Sequence, residues 1–385
     1  MLVFKPSSSD NMKYLNDQSN DVVDKGIYYF YGIIIILLVT VISVYDIALT
    51  TTTISSTSYA ATSFSNESAA DELNINAFGV TALQSSEPTL QEFPVPSGSR
   101  PHDVAPAMDG VVWYTAQGSG ALGRLDTSTN QTHNIALGQG SAPHGVIIRP
   151  DNAPWITDGG LNAIVRVDPE TGEVKVFPLP EDTGYANLNT ATFDKNGTLW
   201  FTGQSGIYGR LDPADGQVEV FDAPRGQGPY GISTAPDGSV YYASLAGSYI
   251  ARIDLETGAA NILEPPTPDQ GARRVWPDSQ GRIWVSEWNA GQLAVYDSAT
   301  QEWKEWRLPG SNPMAYAVYV DDKDMVWLSD FGANAMVRFD PVQETFSTFP
   351  LPSPQANVRQ ILGLPGELWG AESGSDKLVV IRTGN

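Results

Sequence analysis

Short runs of β-branched and aromatic residues follow one another along most of the chain, separated by clusters of Gly, Pro, Asp and Asn. One stretch shows the pattern clearly, with apolar runs at 142–150, 153–158, 163–168 and 174–180 and turn-forming residues between them. Runs of this length and composition, bounded by turn formers, predict β-strands. The stretch therefore predicts a unit of four short strands.

The unit recurs along the chain, because an aromatic residue stands at nearly constant spacing in its second strand. The steps between these residues are 42, 45, 41, 43, 43 and 42 residues, and the residues are Trp113, Trp155, Trp200, Tyr241, Trp284, Trp327 and Trp369. Repeats of about 40 to 50 residues with four strands each are typical of β-propellers. The sequence therefore predicts an all-β fold, a seven-bladed β-propeller of four-stranded blades spanning 89–385.

The two ends of the repeat region complement each other. The seventh unit stops after its third strand, at 377–385. The segment 90–96 (LQEFPVP) resembles the fourth strands at 174–180 (VKVFPLP) and 346–352 (FSTFPLP). Because an unpaired strand edge invites aggregation, we predict that 90–96 completes the last blade and closes the ring.

The N-terminal region predicts a membrane anchor. Residues 26–45 carry no charge, and about 20 helical residues span roughly 30 Å, the thickness of a bilayer core. Three lysines precede this run and no Lys or Arg follows until Arg100, so the positive-inside rule places 1–25 in the cytoplasm and the propeller on the extracytoplasmic side. We assign a transmembrane helix to 26–46 and a flexible Ser/Thr-rich linker to 47–88; a cleaved signal peptide is the alternative.

The charge and the cysteine content exclude several classes of function. The chain has 44 acidic and 22 basic residues, a net charge of -22, and no cysteine. Such a surface repels nucleic acid, and the absence of thiols excludes disulfides, thiolate metal sites and cysteine nucleophiles. We expect a monomer whose partner is a small-molecule or peptide ligand at the mouth of the central channel.

Varied polar residues occupy one position of the innermost strand, eleven residues before the repeated aromatic residue. They are His102, His144, Asn189, Tyr230, Arg273 and Tyr316, with Arg359 as the counterpart in the shorter seventh blade. Inner strands line the channel of a propeller, so these side chains are predicted to meet at one mouth. A scaffold role would not need a different polar residue in most blades, and imidazoles beside carboxylates suit proton transfer or metal binding. A solvated polar channel is the alternative.

Carboxylates recur three residues after the repeated aromatic residue. They are Asp158, Glu287, Asp330 and Glu372, where the remaining blades have Ala116, Gly203 and Ser244. We predict that they face the axis near the same mouth. A third-strand aspartate also recurs in six blades and is interpreted as a turn-organising residue; its positions are Asp126, Asp168, Asp212, Asp254, Asp297 and Asp340.

Several stretches carry a family resemblance. They are RPH (100–102), PHGV (143–146), WITD (155–158), VRVD (165–168) and TGEVKVFPLP (171–180). They resemble the virginiamycin B lyase, or streptogramin lyase, family, and the resemblance extends over about 90–385. It implies a metal-assisted β-elimination that opens a cyclic depsipeptide at an ester C–O bond.

The resemblance also implies roles for individual residues. His144 matches the general base, His102 a substrate-contacting histidine, and Asp158 one acidic Mg²⁺ ligand. The family's second acidic ligand lies two residues before the base, where this chain has Ala142, so the expected Mg²⁺ site is weakened, with Asp158 holding the ion alone or with the help of Glu372 or His102. The polar ring itself, independently of the resemblance, predicts further substrate contacts at Tyr230, Arg273, Tyr316 and Arg359.

Two other functions stay open at the level of sequence. One is a lactone hydrolase resembling the gluconolactonase-type propellers, for which Asn189, Asp158 and Glu372 would supply metal ligands. The other is a non-catalytic, membrane-anchored propeller that binds a ligand or partner outside the cytoplasm. Ala142 and the predicted anchor favour the binding protein, whereas the pair of histidines favours the lyase.

Overall fold

Seven four-stranded antiparallel sheets make up the described part of the chain, residues 88–148 and 151–383 of a computed structural model. The predicted tail, the anchor and all of the linker except Pro88 lie outside the described residues. Within the two described ranges, no helix is long and apolar enough to span a membrane. The seven-bladed, all-β architecture predicted from the repeat is confirmed.

Each of the first six blades is a meander whose strands pair in chain order. The first three blades contain β2 (Pro101–Pro106), β3 (Val111–Ala116), β4 (Ala121–Asp126) and β5 (Gln131–Ala136); β6 (Pro143–Ile148), β7 (Pro154–Asp158), β8 (Ala163–Val167) and β9 (Val174–Pro178); and β10 (Leu188–Phe193), β11 (Leu199–Gly203), β12 (Ile207–Leu211) and β13 (Val218–Asp222). The next three contain β14 (Pro229–Thr234), β15 (Val240–Ser244), β16 (Tyr249–Ile253) and β17 (Ala260–Leu263); β18 (Ala272–Pro277), β19 (Ile283–Glu287), β20 (Gln292–Asp297) and β21 (Glu302–Arg307); and β22 (Ala315–Val320), β23 (Val326–Asp330), β24 (Ala335–Asp340) and β25 (Thr345–Pro350). Short 3-10 helices lie at Gln117–Ser119 and Glu181–Thr183.

The seventh blade joins the two ends of the propeller. It contains β26 (Val358–Leu364), β27 (Glu367–Glu372) and β28 (Lys377–Arg382), and β1 (Thr89–Pro94) pairs antiparallel with β28. Leu90 lies opposite Ile381 and Phe93 opposite Leu378. The strand that precedes the first blade therefore supplies the outer strand of the last one.

The hydrophobic core lies between the blades. Buried apolar residues form one cluster at each of the seven contacts between neighbouring blades, including the contact between the last and the first. The repeated tryptophans are almost fully buried in these clusters. In three blades the indole N–H also donates to an aspartate six residues earlier, as Trp327 does to Asp321 at 2.8 Å. The period in the sequence thus reflects repeated packing between blades.

The third-strand aspartates organise turns, as their recurrence predicted. Asp168, for example, accepts hydrogen bonds from the backbone N–H groups of Glu170 and Thr171, and the other five hold similar bonds two or three residues ahead. Asp and Asn are common in turns because their side chains bond the backbone in this way.

A buried hydroxyl ties each of several blades to the next. Thr115, two residues after Trp113, accepts a hydrogen bond from Asp103 N at 2.9 Å and donates to the carbonyl oxygen of His144 in the second blade at 2.8 Å. Equivalent bridges are made by Thr157, Thr202 and Ser286. Each bridge joins an inner strand to the inner strand of the following blade, and so fixes the backbone at the centre of the ring.

We predict that Thr115→Val destabilises the protein by about 1–3 kcal/mol, because it leaves a buried N–H and a buried C=O without a partner. The free energy of unfolding from denaturant titration measures this loss. Thr115→Ser is the matched control and should retain most of the stability. Equal stability of the valine and serine variants would show that the bridge contributes nothing.

Candidate functional site

The polar ring predicted from the sequence assembles around the channel axis. The imidazole centroids of His102 and His144 lie 3.6 Å apart. His144 Nε2 lies 3.2 Å from Asn189 Nδ2, and the His144 ring meets the Tyr230 ring edge-on at 6.0 Å. The hydroxyl of Tyr230 lies 2.5 Å from that of Tyr316. Side chains from separate blades therefore form one contiguous cluster.

Two arginines complete the ring beside the tyrosines. Arg273 donates to the Tyr230 hydroxyl at 3.0 Å, and its guanidinium lies 3.6 Å from the centroid of the Tyr316 ring. Arg359 donates to the Tyr316 hydroxyl at 3.2 Å and to Ser373. Both arginines are partly exposed, whereas the histidines and tyrosines are buried. The arginines thus form the solvent-facing part of the ring.

A second polar layer lies next to the ring, and sequence reasoning missed its acidic member. Asp103 Oδ1 accepts hydrogen bonds from His102 Nδ1 at 2.8 Å and from Arg274 at 3.0 Å, and Arg274 also donates to Thr190 at 2.8 Å. All seven inner strands change register at this point. Such a β-bulge re-aims side chains, so His102 and Asp103 both contact the centre, although adjacent residues of a regular strand point to opposite faces.

Burial and the surrounding arginines keep the histidines neutral. Burial lowers the pKa of His102 well below its usual value, and Arg359, Arg274, Arg273 and Arg100 lower it further. Burial likewise lowers the pKa of His144 well below its usual value, and so does the neighbouring His102. Burial raises the pKa of Asp103, and Arg274 opposes that rise. Both imidazoles therefore have a nitrogen lone pair available near neutral pH.

The carboxylates three residues after the repeated aromatic residue form hydrogen bonds within their own blades. Asp158 is fully buried, and its two oxygens accept hydrogen bonds from Ser141 Oγ and from the backbone N–H groups of Ala142 and Leu161. Asp330 binds three backbone N–H groups in the same way. Glu372 accepts from Ser375 at 2.6 Å, and burial raises its pKa to about 7. These side chains join no hydrogen bond of the described ring.

The residues around Asp158 do not fit a magnesium ion. Mg²⁺ needs oxygen ligands with free lone pairs in a near-octahedral arrangement, but N–H and O–H donors surround the Asp158 carboxylate and Ala142 adds no second carboxylate. The donor atoms of His102, Asp103 and His144 do lie within 4.8 Å of one another. Asp103 Oδ1 accepts from Arg274, whereas its buried Oδ2 has no partner among the described residues.

The sequence matches the model of a known protein family. A sequence model of the virginiamycin B lyase family matches residues 73–312, which is more than half of the 385 residues. The chain belongs to the virginiamycin B lyase family. No curated protein sequence matches it.

Solved structures of lyases share the fold at low sequence identity. A streptogramin B lyase structure is 23% identical with a TM-score of 0.71, covering 77% of this chain and 98% of the lyase. Virginiamycin B lyase from Staphylococcus aureus, solved as the selenomethionine-substituted protein, is 21% identical with a TM-score of 0.71, covering 77% of this chain and 99% of its own. A catalytically inactive form of the S. aureus enzyme, solved with quinupristin, is 22% identical with the same TM-score and coverages.

We predict that Asp103→Asn destabilises this family member by about 3–5 kcal/mol, because it leaves the buried Arg274 cation without its counter-charge. Denaturant unfolding measures the loss. A double variant, Asp103→Asn with Arg274→Gln, removes both charges and should recover part of the stability. If the double variant is no more stable than the single one, the buried charge is not the cause.

Glu287 supplies a pH-dependent prediction. Its Oε2 accepts from Gln292 at 2.6 Å while its Oε1 has no partner among the described residues, and burial raises its pKa from 4.5 to about 8. Between these values the folded state binds more protons than the unfolded state, so stability falls as pH rises. Glu287→Gln should therefore gain Tm relative to the native protein as pH rises from about 5 to about 8.

Thermal unfolding across that pH range checks the prediction, with Glu302→Gln as the matched control. Glu302 is exposed on an outer strand, so its substitution should leave the pH dependence unchanged. A difference in Tm between Glu287→Gln and the native protein that does not vary with pH would contradict the assignment.

Proposed function

We propose that the ring binds a carbonyl-bearing ester and that the protein is a carbon–oxygen lyase acting by β-elimination, with His144 as the general base. The observation that carries the proposal is the convergence of a neutral imidazole, two tyrosine oxygens and two partly exposed arginines in one contiguous cluster. Family membership supports the reaction class. The arginines take the place of a metal as the electrophilic groups.

The hydrogen bonds around His144 support Nε2 as its basic nitrogen. Thr190 donates to Asn189 Oδ1 at 2.8 Å, which orients the Asn189 amide so that its nitrogen donates to His144 Nε2. His144 Nε2 is therefore the acceptor, and its lone pair is held only by a 3.2 Å contact. A substrate C–H that reaches Nε2 would replace this long hydrogen bond. The buried Nδ1 has no partner among the described residues.

The proposed reaction balances without water. His144 Nε2 takes the proton from the carbon beside a carbonyl, and the C–H electron pair forms a carbon–carbon double bond. The ester C–O bond on the neighbouring carbon breaks, and the carboxylate leaves with its electron pair. Arg273 has a buried Nε–H without a described partner. This unused donor supports a role for Arg273 in binding the developing negative charge on oxygen, where preorganised donors are most effective.

We predict that His144→Ala lowers the rate of ester opening by about 100-fold or more, the usual contribution of a general base. The assay follows the opening of quinupristin, the ligand solved with the S. aureus relative, by mass spectrometry. His133→Ala is the matched control, because His133 is exposed on the outer strand β5, and it should keep the native rate. Unchanged turnover by His144→Ala would exclude this base.

A binding protein without catalytic activity is the second candidate. The engagement of Asp158 by its own blade, together with Ala142 beside it, removes the carboxylate pair that the family resemblance implies for Mg²⁺. A propeller tethered outside the cytoplasm would then present the ring to a carboxylate- or carbonyl-bearing ligand. Calorimetric titration with quinupristin and with Mg²⁺ separates the candidates: saturable binding of unaltered ligand, with no product formed, favours the binding protein.

The hydrolase alternative receives no comparable support. Its ligand set would require Asn189, Asp158 and Glu372 to share one ion. Asn189 bonds His144 and Thr190, whereas Asp158 and Glu372 are bonded to loops of their own blades. The described contacts do not bring these three side chains together.

A further inference from the structure

The hydroxyls of Tyr230 and Tyr316 form an unusual pair at the centre of the ring. We propose that the pair holds a single hydroxyl proton near neutral pH, so that Tyr316 is a tyrosinate and the second proton acceptor of the site. The protonation state follows from the structure alone, and only its catalytic use rests on the proposed function.

The hydrogen bonds at the Tyr230 and Tyr316 oxygens indicate how many protons the pair holds. Arg273 donates to the Tyr230 oxygen at 3.0 Å and Arg359 donates to the Tyr316 oxygen at 3.2 Å. The two oxygens are 2.5 Å apart, so one hydrogen lies between them. A second hydroxyl hydrogen would need another acceptor, and the described residues provide none for either tyrosine. The network is complete when Tyr230 donates to Tyr316 and the pair carries one proton.

Three arginines surround the two tyrosine rings. The Arg273 guanidinium lies 3.6 Å from the centroid of the Tyr316 ring and that of Arg359 lies 5.7 Å from it. Arg274 lies 5.5 Å from the centroid of the Tyr230 ring, and it is paired with Asp103. The remaining neighbours are uncharged: the neutral His144 and the aromatic rings of Trp288 and Phe331. Positive charge therefore dominates around the two oxygens.

The arginines lower the pKa of Tyr316 by more than burial raises it. Burial alone would raise the pKa of Tyr316, but Arg273, Arg359 and Arg274 bring it down to about 7. Burial raises the pKa of Tyr230, so Tyr230 keeps the shared proton. Two acidic groups in contact titrate as a pair whose first proton leaves much more easily than the second.

A second tyrosine pair in the same protein shows what the arginines add. The hydroxyls of Tyr242 and Tyr249 are also buried and lie 3.1 Å apart. Arg225, which stacks on Tyr249, is paired with Glu264 and donates no described hydrogen bond to either hydroxyl. Burial raises the pKa of Tyr242. Because no described arginine donates to its hydroxyls, this pair is a matched internal control for the loss of a buried tyrosine hydroxyl.

The tyrosinate extends what the ring can do. A carbonyl ligand held by Arg273 lies beside two proton acceptors of different charge, the neutral imidazole of His144 and the anionic oxygen of Tyr316. An oxyanion among arginines stays available as a base because the arginines stabilise it. Ligands with an acidic proton next to a carbonyl are therefore the class that this arrangement fits.

Tyrosinate absorbance during pH titration of the folded protein tests the proposal, and it needs no substrate. The native protein should form one tyrosinate per chain with a midpoint near the pKa of about 7. Tyr316→Phe should abolish this transition, and Arg359→Gln should move it upward by about one pH unit or more, because an adjacent opposite charge shifts a pKa by that amount. Tyr242→Phe should leave it unchanged.

Each outcome decides the question. A folded native protein that forms no tyrosinate below about pH 9, well above the region expected for a shifted group, overturns the proposal, as does a transition that survives in Tyr316→Phe. Should Tyr316→Phe fail to fold, the upward shift in Arg359→Gln, followed by nuclear magnetic resonance of tyrosine labelled at Cζ, carries the test. A tyrosinate in a protein that opens no ester would support the pair while rejecting the lyase function.

Discussion

A hydroxyl buried between neighbouring blades is the constraint on which the centre of this propeller depends. In the first blade Thr115 receives the N–H of Asp103 and donates to the carbonyl of His144. The same hydroxyl therefore fixes a residue of the second polar layer in one blade and a ring residue in the next. Because both of its partners are buried backbone groups, any shift between the two inner strands would leave one of them unsatisfied, at a cost of about 1–3 kcal/mol.

Charge at the centre follows from this fixed backbone. The bulge in the first inner strand places Asp103 and His102 together, and Asp103 then pairs across the channel with Arg274. The described ring and its second layer contain the carboxylate of Asp103 and the guanidinium groups of Arg273, Arg274 and Arg359. The cluster therefore keeps a positive excess in a chain whose net charge is -22. Burial, together with that excess, keeps the histidines neutral, and the excess lowers the pKa of Tyr316 against the effect of burial. The protonation states of these side chains therefore depend on burial and on the nearby arginines, and not on the negative net charge of the whole chain.

The sequence predicted the scaffold and the members of the ring because both depend on period. The spacing of the aromatic residues follows from packing between blades, and the position eleven residues earlier lies in the inner strand of each blade. Asp103 was missed because strand alternation places it opposite His102, and only the bulge brings it to the centre. Asp158 and Glu372 were expected at the mouth because their distance from the tryptophan repeats. Their oxygens bind loop donors that no spacing reveals.

The bridging hydroxyls also divide the ring into residues whose backbone carbonyl accepts a bridge and residues whose carbonyl does not. They hold the carbonyls of His144, Asn189, Tyr230 and Tyr316. Two blades have alanine instead of a hydroxyl, at Ala243 and Ala371, and the ring residues that follow them are Arg273 and His102. The acid–base candidates His144 and Tyr316 are therefore held by backbone bridges, whereas Arg273 is partly exposed and lacks one. A proton acceptor fixed by a backbone bridge beside a partly exposed cation that Tyr230 and Tyr316 hold in position suits a reaction in which charge moves from carbon to oxygen, because preorganised donors stabilise the charge that develops.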